Sequence, residues 1–323
     1  MSFIIGLDGG GTKTAGLLCD GLGHILASAK TVGTAIVGHP SPHACRALDS
    51  LVDRLCGEAG MPRRDVAHVG LGLSGVDFAD EIPIQHDALR DALKLRPDQL
   101  ELVNDSVTAL WGVSHEERVA IVQHGTAVTS AYRTALGREI LFDGLDVASV
   151  YDLRRDGFAQ TARMIDGRAE RTGLADRMLA HCGVSAVQFA EWVFRNPDEA
   201  RSARAASASV VFGAWQDGDN AAAAMIARAA RDYALTVRAM SAHMGRGAFA
   251  AAFGGGLIVQ GGSRFQDLLA QTLADICPAA RLAMIKLRPE AGAVLLAAHS
   301  AGRDISPLFD GLERQFASNH APT

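Results

Sequence analysis

The chain's 323 residues are enough for two domains with full cores, and a 48% hydrophobic content places it among ordinary globular proteins. Its formal net charge of −5 gives no electrostatic ground for nucleic acid or an anionic membrane as a partner. Five cysteines scattered without CxxC spacing (Cys19, Cys45, Cys56, Cys182 and Cys277) argue for reduced thiols in a cytoplasm and against zinc or an iron–sulfur cluster.

The N-terminus enters a strand directly, with no basic segment and apolar run of the signal-peptide kind. No uncharged apolar stretch reaches about 18 residues, so nothing in the pattern spans a membrane. The first strand, Phe3 to Leu7, ends at Asp8. Gly9, Gly10 and Gly11 follow, then Thr12, Lys13 and Thr14, and a second apolar strand from Ala15. Strands this close form a tight hairpin, and three glycines in its turn suggest that something approaches the backbone. Bare amides flanked by hydroxyl and ammonium donors make a nest for an anion, with phosphate the first candidate. The spacing is neither that of a P-loop, which runs into a helix, nor that of the dinucleotide fingerprint. A carboxylate directly before the turn points to a hydrated cation beside the phosphate.

Apolar periodicity predicts a third strand at 25–29, a helix over 41–60, a strand at 66–75 and a helix over 84–95. A short strand at 100–105 and a helix over 106–113 follow. The pattern then begins again, with strands at 118–126, 128–134 and 137–143 laid out like the trio at 3–29. A mostly helical stretch runs from about 158 to 245, and the Arg-rich segment 154–173 before and within it reads as a solvated, partly helical face. A strand at 249–253 leads into Gly254-Gly255-Gly256, then a helix over 262–276, a strand at 281–285 and helices over 289–300 and 305–317. Two meander-plus-helix modules in tandem argue for an internally duplicated α/β fold with its ligand between the halves.

Four loops carry chemistry, all at strand ends, where open α/β sheets hold ligands. They are Asp8 to Thr14, Leu73 to Asp77, Val103 to Ser106, and Gly254 to Gly256 with Gly261-Gly262 behind. For Asp105 the residues leave two roles open, a general base or the N-cap of the following helix, and one Asp can be both.

Together these loops resemble the sugar-kinase/Hsp70/actin superfamily, and within it the N-acetylglucosamine kinase group joined with the BadF/BadG/BcrA/BcrD-type ATPases. The resemblance implies two ribonuclease-H-like (actin-like ATPase) lobes with ATP and sugar in a central cleft. One lobe would be residues 1–115, joined by a C-terminal helix over 303–323, and the other residues 116–302. ATP and Mg2+ are the implied cofactors. Gly9, Gly10, Gly11, Thr12, Lys13, Gly125 and Thr126 would hold the ATP phosphates, Gly254, Gly255 and Gly256 the adenosine, and Asp8 would orient Mg2+ through water. Asp105 matches the catalytic base, and Ser74, Gly75 and Asn104, with Asp105 itself, the sugar pocket. The implied activity is ATP-dependent phosphoryl transfer to a hydroxyl of an amino sugar or related small molecule, by a cytoplasmic enzyme. No nucleic acid or membrane partner is implied, and a homodimer is compatible.

The chain also departs from that pattern. The family's second phosphate hairpin usually reads Gly-Thr-Gly-Ser; here it is His124-Gly125-Thr126-Ala127-Val128, with a methyl and an isopropyl where two groups approach or bond phosphate. A Gly-Trp-Gly stretch followed by Gly-Asp-Glu-Gly-Ser gives way to residues 144–158, with Asp146, Asp152 and Asp156 as stand-ins. The segment TVGTAIVG (31–38) lacks the Asn that commonly contacts sugar. His124 reads as a polar strand-end residue or a replacement ligand, and Trp111 and Trp192 as core. These departures make a catalytically degenerate nucleotide-binding regulator the alternative, and they predict poor use of N-acetylglucosamine. A reductase-activating ATPase is disfavoured, because no two cysteines suit a cluster between subunits.

Overall fold

The computed structural model describes residues 2–115, 118–125, 127–143 and 150–318. Thr126 and Asp146 lie outside the described residues. The first half is a meander of β1 (Phe3–Gly9), β2 (Lys13–Cys19) and β3 (Ile25–Val32), followed by α1 (Pro42–Glu58), β4 (Val66–Leu73), α2 (Ile82–Ala92), β5 (Leu100–Asn104) and α3 (Asp105–Val113). Its sheet has the order β3-β2-β1-β4-β5, antiparallel through the meander and parallel from β1 to β5.

The second half repeats the plan with β6 (Val119–His124), β7 (Val128–Arg133) and β8 (Glu139–Asp143). A helical block follows: α4 (Leu153–Ile165), α5 (Gly173–Cys182), α6 (Ala186–Arg195), α7 (Pro197–Ala206), α8 (Ala208–Gln216) and α9 (Asn220–Ser241). Then come β9 (Phe249–Gly254), α10 (Gly256–Gln260), α11 (Gly262–Ile276) and β10 (Ala280–Leu282). The order β8-β7-β6-β9-β10 matches the first sheet strand for strand. The duplication read from the two meanders is therefore present in strand order and direction, and the α/β class with it.

Helices on both faces explain why β1 is apolar throughout rather than alternating. Ile5 and Leu7 pack with Leu48, Leu51 and Leu55 of α1, while Ile4 points to the other face. That face is covered by α12 (Pro289–Ser300) and α13 (Ser306–Ser318), so the chain returns to the first sheet at residue 289. Gly6 and Gly70 let α12 lie backbone against backbone, since a Cβ at either would come within 1.9 Å of Glu290 O or Ala293 O.

Helix α3 is held between the halves. Val107 and Trp111 share a core with α12, while Ala109, Leu110 and Val113 pack on Val119, Ile121 and Ala250 of the second sheet. Alanines at that interface bring helix and sheet close. The strand registers then set the site: Gly9 lies opposite Leu73, and Leu73 opposite Asn104, so three loops leave one sheet edge side by side. In the second sheet Gln123 lies opposite Gly254, which brings the β6 and β9 loops together in the same way.

Some boundaries differ from the sequence reading. Helix α4 begins at Leu153 because Asp152 caps it, accepting the Arg154 amide at 2.8 Å. Strand β10 stops at Leu282 because the chain leaves the sheet to cross back to α12. Among the described residues no helix is long and apolar enough to cross a membrane.

Candidate active site

The β1–β2 turn closes with the Gly10 amide donating to Lys13 O at 3.0 Å. The chain after β3 straps it from above: the Thr34 and Ala35 amides both donate to Gly10 O, at 3.1 and 3.2 Å. Gly33 lies so close that a Cβ there would come within 2.2 Å of Gly11 O. The Thr14 hydroxyl turns inward to Val32 O at 2.8 Å, so it braces the turn rather than facing a ligand.

Gly9 is required by packing, because a Cβ would meet Leu73 and Thr34 side chains at 2.4 Å. Gly10 and Gly11 are not. A Cβ on Gly10 finds only Lys13 O, at 3.8 Å, one on Gly11 finds nothing within 4 Å, and neither residue has positive φ. With Gly11, Thr12 and Lys13 exposed, the bare turn is a cradle that side chains would fill.

The β4 loop is tied to this turn. The Ser74 amide donates to Gly9 O and Ser74 O accepts the Ile36 amide, both at 2.9 Å. Gly75 adopts φ +96°, and a Cβ on it would run into Ile36 O at 1.9 Å. Residues 33–36 therefore strap the phosphate turn and the Ser74-Gly75 loop into one unit.

At the end of β5, Asn104 caps α3: its Oδ1 accepts the Ser106 amide at 2.8 Å, and its Nδ2 donates to Asp77 Oδ1 at 2.8 Å. The capping role left open for Asp105 thus falls to Asn104. Asp105 sits in the first helical turn with Oδ1 buried and without a hydrogen-bond partner. Burial, then the charge of Asp77, pushes its pKa up to about 6, against the opposing amides of Ser106 and Asp105. Burial also dominates at Asp8, where Asp105 and Glu290 add to it and Lys13 opposes; its pKa rises to about 8. Glu290, buried at the head of α12, is likewise pushed up by burial, with Arg288, Lys30 and Lys13 among the groups that restrain it.

On the second half, the Gly125 amide donates to Ala127 O at 3.0 Å to close the β6–β7 turn. Val128 is a buried strand residue paired with His124, so its isopropyl serves the core and not the turn. Gly255, at φ +92°, rests on the His124 backbone, where a Cβ would meet the carbonyl oxygen at 2.5 Å. Gly254 and Gly255 line a cavity of about 600 Å³ with Phe253, Gln266, Met284 and Ile285. Gly256 is exposed at the start of α10 and is not among the residues lining that cavity.

The chain belongs to the BadF/BadG/BcrA/BcrD ATPase family. The match runs over residues 5–297, from β1 into α12, and so takes in every loop described above. The resemblance read from the motifs is thereby met. A curated relative, the N-acetylmuramic acid/N-acetylglucosamine kinase of Clostridium acetobutylicum, is 24% identical over 246 residues, covering 74% of this chain and 79% of that protein. Among solved structures, a protein provisionally assigned as an N-acetylglucosamine kinase from Chromobacterium violaceum superposes with a TM-score of 0.67 at 24% identity, covering 92% of this chain and 99% of the other. A ROK family glucokinase from Streptomyces griseus, in complex with glucose and AMPPNP, gives 0.57 at 20% identity over 92% and 100%. These structural likenesses establish the two-lobed α/β fold.

Within this BadF/BadG family member, the structure brings Asp8, Gly9 to Lys13, Ser74, Gly75, Asn104 and Asp105 to one sheet edge. Gly125, Gly254 and Gly255 lie together on the other sheet. Asp152 and Asp156, candidates to replace the missing sugar motif, are engaged by Arg154 at 2.9 Å and Arg155 at 3.4 Å. Asp77, at the end of the Leu73 loop, joins the acidic group through Asn104, and Glu290, which has no part in the sequence reading, joins it because α12 brings its charge to bear on Asp8. Trp111 is buried in the core as read, and Trp192 packs against the core of the second half.

Proposed function

We propose that this protein is an ATP-dependent kinase that phosphorylates a hydroxyl of an amino sugar or a related small molecule. One observation carries the reading: Asp105 presents a buried, unpartnered carboxylate oxygen on the same row of strand ends as the glycine cradle. Buried polar atoms in folded proteins are almost always paired, so an orphan at a sheet edge marks a place for an outside partner. The kinase named for the C. acetobutylicum relative supports a sugar as that partner.

In this reading Asp105 takes the proton of the acceptor hydroxyl as its oxygen attacks the γ-phosphorus. The new O–P bond forms while the bond to the β,γ-bridging oxygen breaks, and ADP leaves with that electron pair. A base whose pKa is about 6 is ionised at neutral pH yet still able to accept a proton in the transition state. The Gly10–Lys13 turn cradles phosphate, and Lys13 supplies positive charge near Asp8 and Glu290. Gly125 faces the phosphates from the second half, and the Gly254-Gly255 cavity takes the adenosine. A cytoplasmic setting goes with this use of ATP.

Mg2+ fits the same residues through water. Beyond burial, the charges of Asp105 and Glu290 push the Asp8 carboxyl up, which favours a cation beside it, and Asp8 stands directly before the cradle. Among the described residues no three acidic, His or Cys side chains are placed to grip a metal directly, so Asp8 would hold the ion through its hydration shell. Bound there, the ion would neutralise charge on the transferred phosphoryl group.

An ADP-release screen over amino sugars and plain hexoses, with an acceptor-free control, tests the reading. ADP release that depends on an acceptor supports it. ATP binding with no turnover across the screen would move the assignment to a nucleotide-binding regulator, which the exposed Ala127 in the second turn favours.

A further inference from the structure

His124 ends β6 with its ring fully buried, a costly position for an imidazole unless both nitrogens are bonded. Both are. Nδ1 lies 2.6 Å from Tyr233 Oη on α9, and Nε2 lies 3.0 Å from Arg154 Nη2 on α4. Arginine can only donate, so Nε2 carries the lone pair and Nδ1 the proton, which it gives to Tyr233. Burial pushes His124 down to about 4, which keeps that lone pair available at neutral pH.

Arg154 is pinned on its other sides. Its Nε and Nη2 fork onto the two oxygens of Asp152 at 3.0 and 2.9 Å, and Nη1 donates to Gly125 O at 2.9 Å. A continuous set of bonds therefore runs from the α9 core through His124 and Arg154 to the carbonyl of the Gly125 turn. The backbone of the same His124 supports Gly255. Packing does not call for this arrangement, because leucine and phenylalanine would fill positions 124 and 233 with no polar atoms to satisfy. A planar guanidinium held by a carboxylate and an imidazole, with its remaining edge on one carbonyl, fixes where that carbonyl points and hence how the turn is presented.

We infer that Arg154, aimed by His124, Tyr233 and Asp152, is the positioning residue that sets the Gly125 turn for the nucleotide phosphates. The inference rests on the kinase reading, since it needs ATP phosphate to meet that turn. Arg154, its charge paired with Asp152, acts through the Gly125 carbonyl. In this chain it does so next to Ala127, where the family pattern has a glycine.

Calorimetric titration of wild type, Arg154→Ala, Arg154→Lys and His124→Phe with ATP and, separately, with adenosine tests this. Arg154→Ala should weaken ATP by about tenfold or more while adenosine affinity stays within about twofold, because only ATP carries phosphate to the turn. Arg154→Lys keeps the charge but not the fork and should show the same selective loss in smaller measure, as should His124→Phe, which removes the acceptor. Equal loss of ATP and adenosine, or no loss of either, in the Arg154 variants overturns the inference. If Arg154→Ala does not fold, the ATP-to-adenosine ratio of Arg154→Lys decides on the same terms. A wild type that binds no ATP overturns the kinase reading itself, and this inference with it.

Discussion

Asn104 donates to Asp77 Oδ1 at 2.8 Å while its own oxygen takes the Ser106 amide, so a single side chain joins the β4 loop to the start of α3. The arrangement relieves Asp105 of capping and keeps a second carboxylate close enough to raise its pKa. A base and a helix cap compete for the same oxygen lone pairs. Here they are divided between neighbouring residues.

Asp105→Asn should therefore lose about 10²-fold or more in kcat with ATP affinity nearly unchanged, since general-base catalysis contributes about 10²–10⁴. In the wild type, kcat/KM should fall as pH drops through about 6, because protonation removes the base. Steady-state kinetics with the best acceptor checks both. A variant that retains most of its activity, or a wild-type rate that is flat through that pH, counts against Asp105 as the base.

Asp8 gives a prediction of opposite character, on stability. Its pKa is raised from 3.8 to about 8, so between those values the folded protein holds a proton that the unfolded chain has released. Stability without ligand should fall as pH rises through that window, since the folded state binds more protons. Asp8→Asn removes the penalty. Thermal melts should show it more stable than wild type at pH about 8, level with it below pH about 4, and deficient in phosphoryl transfer. A variant that melts lower than wild type at the higher pH would show that Asp8 stabilises the fold by contacts instead.

The two kinds of glycine in the first turn separate binding from folding. Gly10→Val places its side chain in open space, so the protein should fold with a melting temperature near wild type and lose ATP binding. Gly9→Val drives a side chain into Leu73 and Thr34 and should cost the fold itself, by about 1–3 kcal/mol or more. Calorimetry and thermal melts on the pair make the comparison. Unchanged ATP affinity in Gly10→Val would falsify the phosphate-cradle assignment.

What the sequence discloses here is what lies close together along the chain. The Asp8 turn is legible because its carboxylate, glycines, hydroxyl and ammonium are consecutive. Strands β1 and β6 are legible because their apolar runs are short and end at turn residues. The sequence offers Asn104 only as pocket lining, and its capping of α3 is not legible there because its tie to Asp77 depends on the parallel pairing of β4 and β5. Glu290 reaches Asp8 only after α12 folds back over β1 on Gly6. Arg154 lay inside a segment whose mixed charges suggest a solvated face. Its side chain is 13% exposed, because Asp152, His124 and Gly125 hold it inward.

Helix α3, packed against both sheets, makes relative motion of the two halves bear directly on Asp105. We expect the halves to close on ligand, since each supplies part of the phosphate site and closure would exclude water from the transfer. Small-angle scattering should show a smaller radius of gyration with Mg-ATP and acceptor than without. Superimposable profiles would argue for a site that is already closed.

The acceptor pocket sets the last expectation. The strap that replaces the family's Asn-bearing segment commits its amides at Thr34, Ala35 and Ile36 to Gly10 and Ser74 carbonyls. Its Thr34 hydroxyl is bonded to Thr14 at 2.7 Å and Ile36 is buried, so this stretch presents no side-chain amide to an acceptor. Asp152, one of the candidates to replace the missing acidic motif, is forked by Arg154. An N-acetyl group entering such a pocket exchanges water for unpaired burial, and sites lacking the matching polar group discriminate strongly. N-acetylglucosamine should accordingly show a kcat/KM about tenfold or more below the best acceptor in the screen. Efficient turnover of N-acetylglucosamine by the wild-type protein would mean that groups outside the strap and Asp152 recognise the acetamide, and this account of the pocket would have to be abandoned.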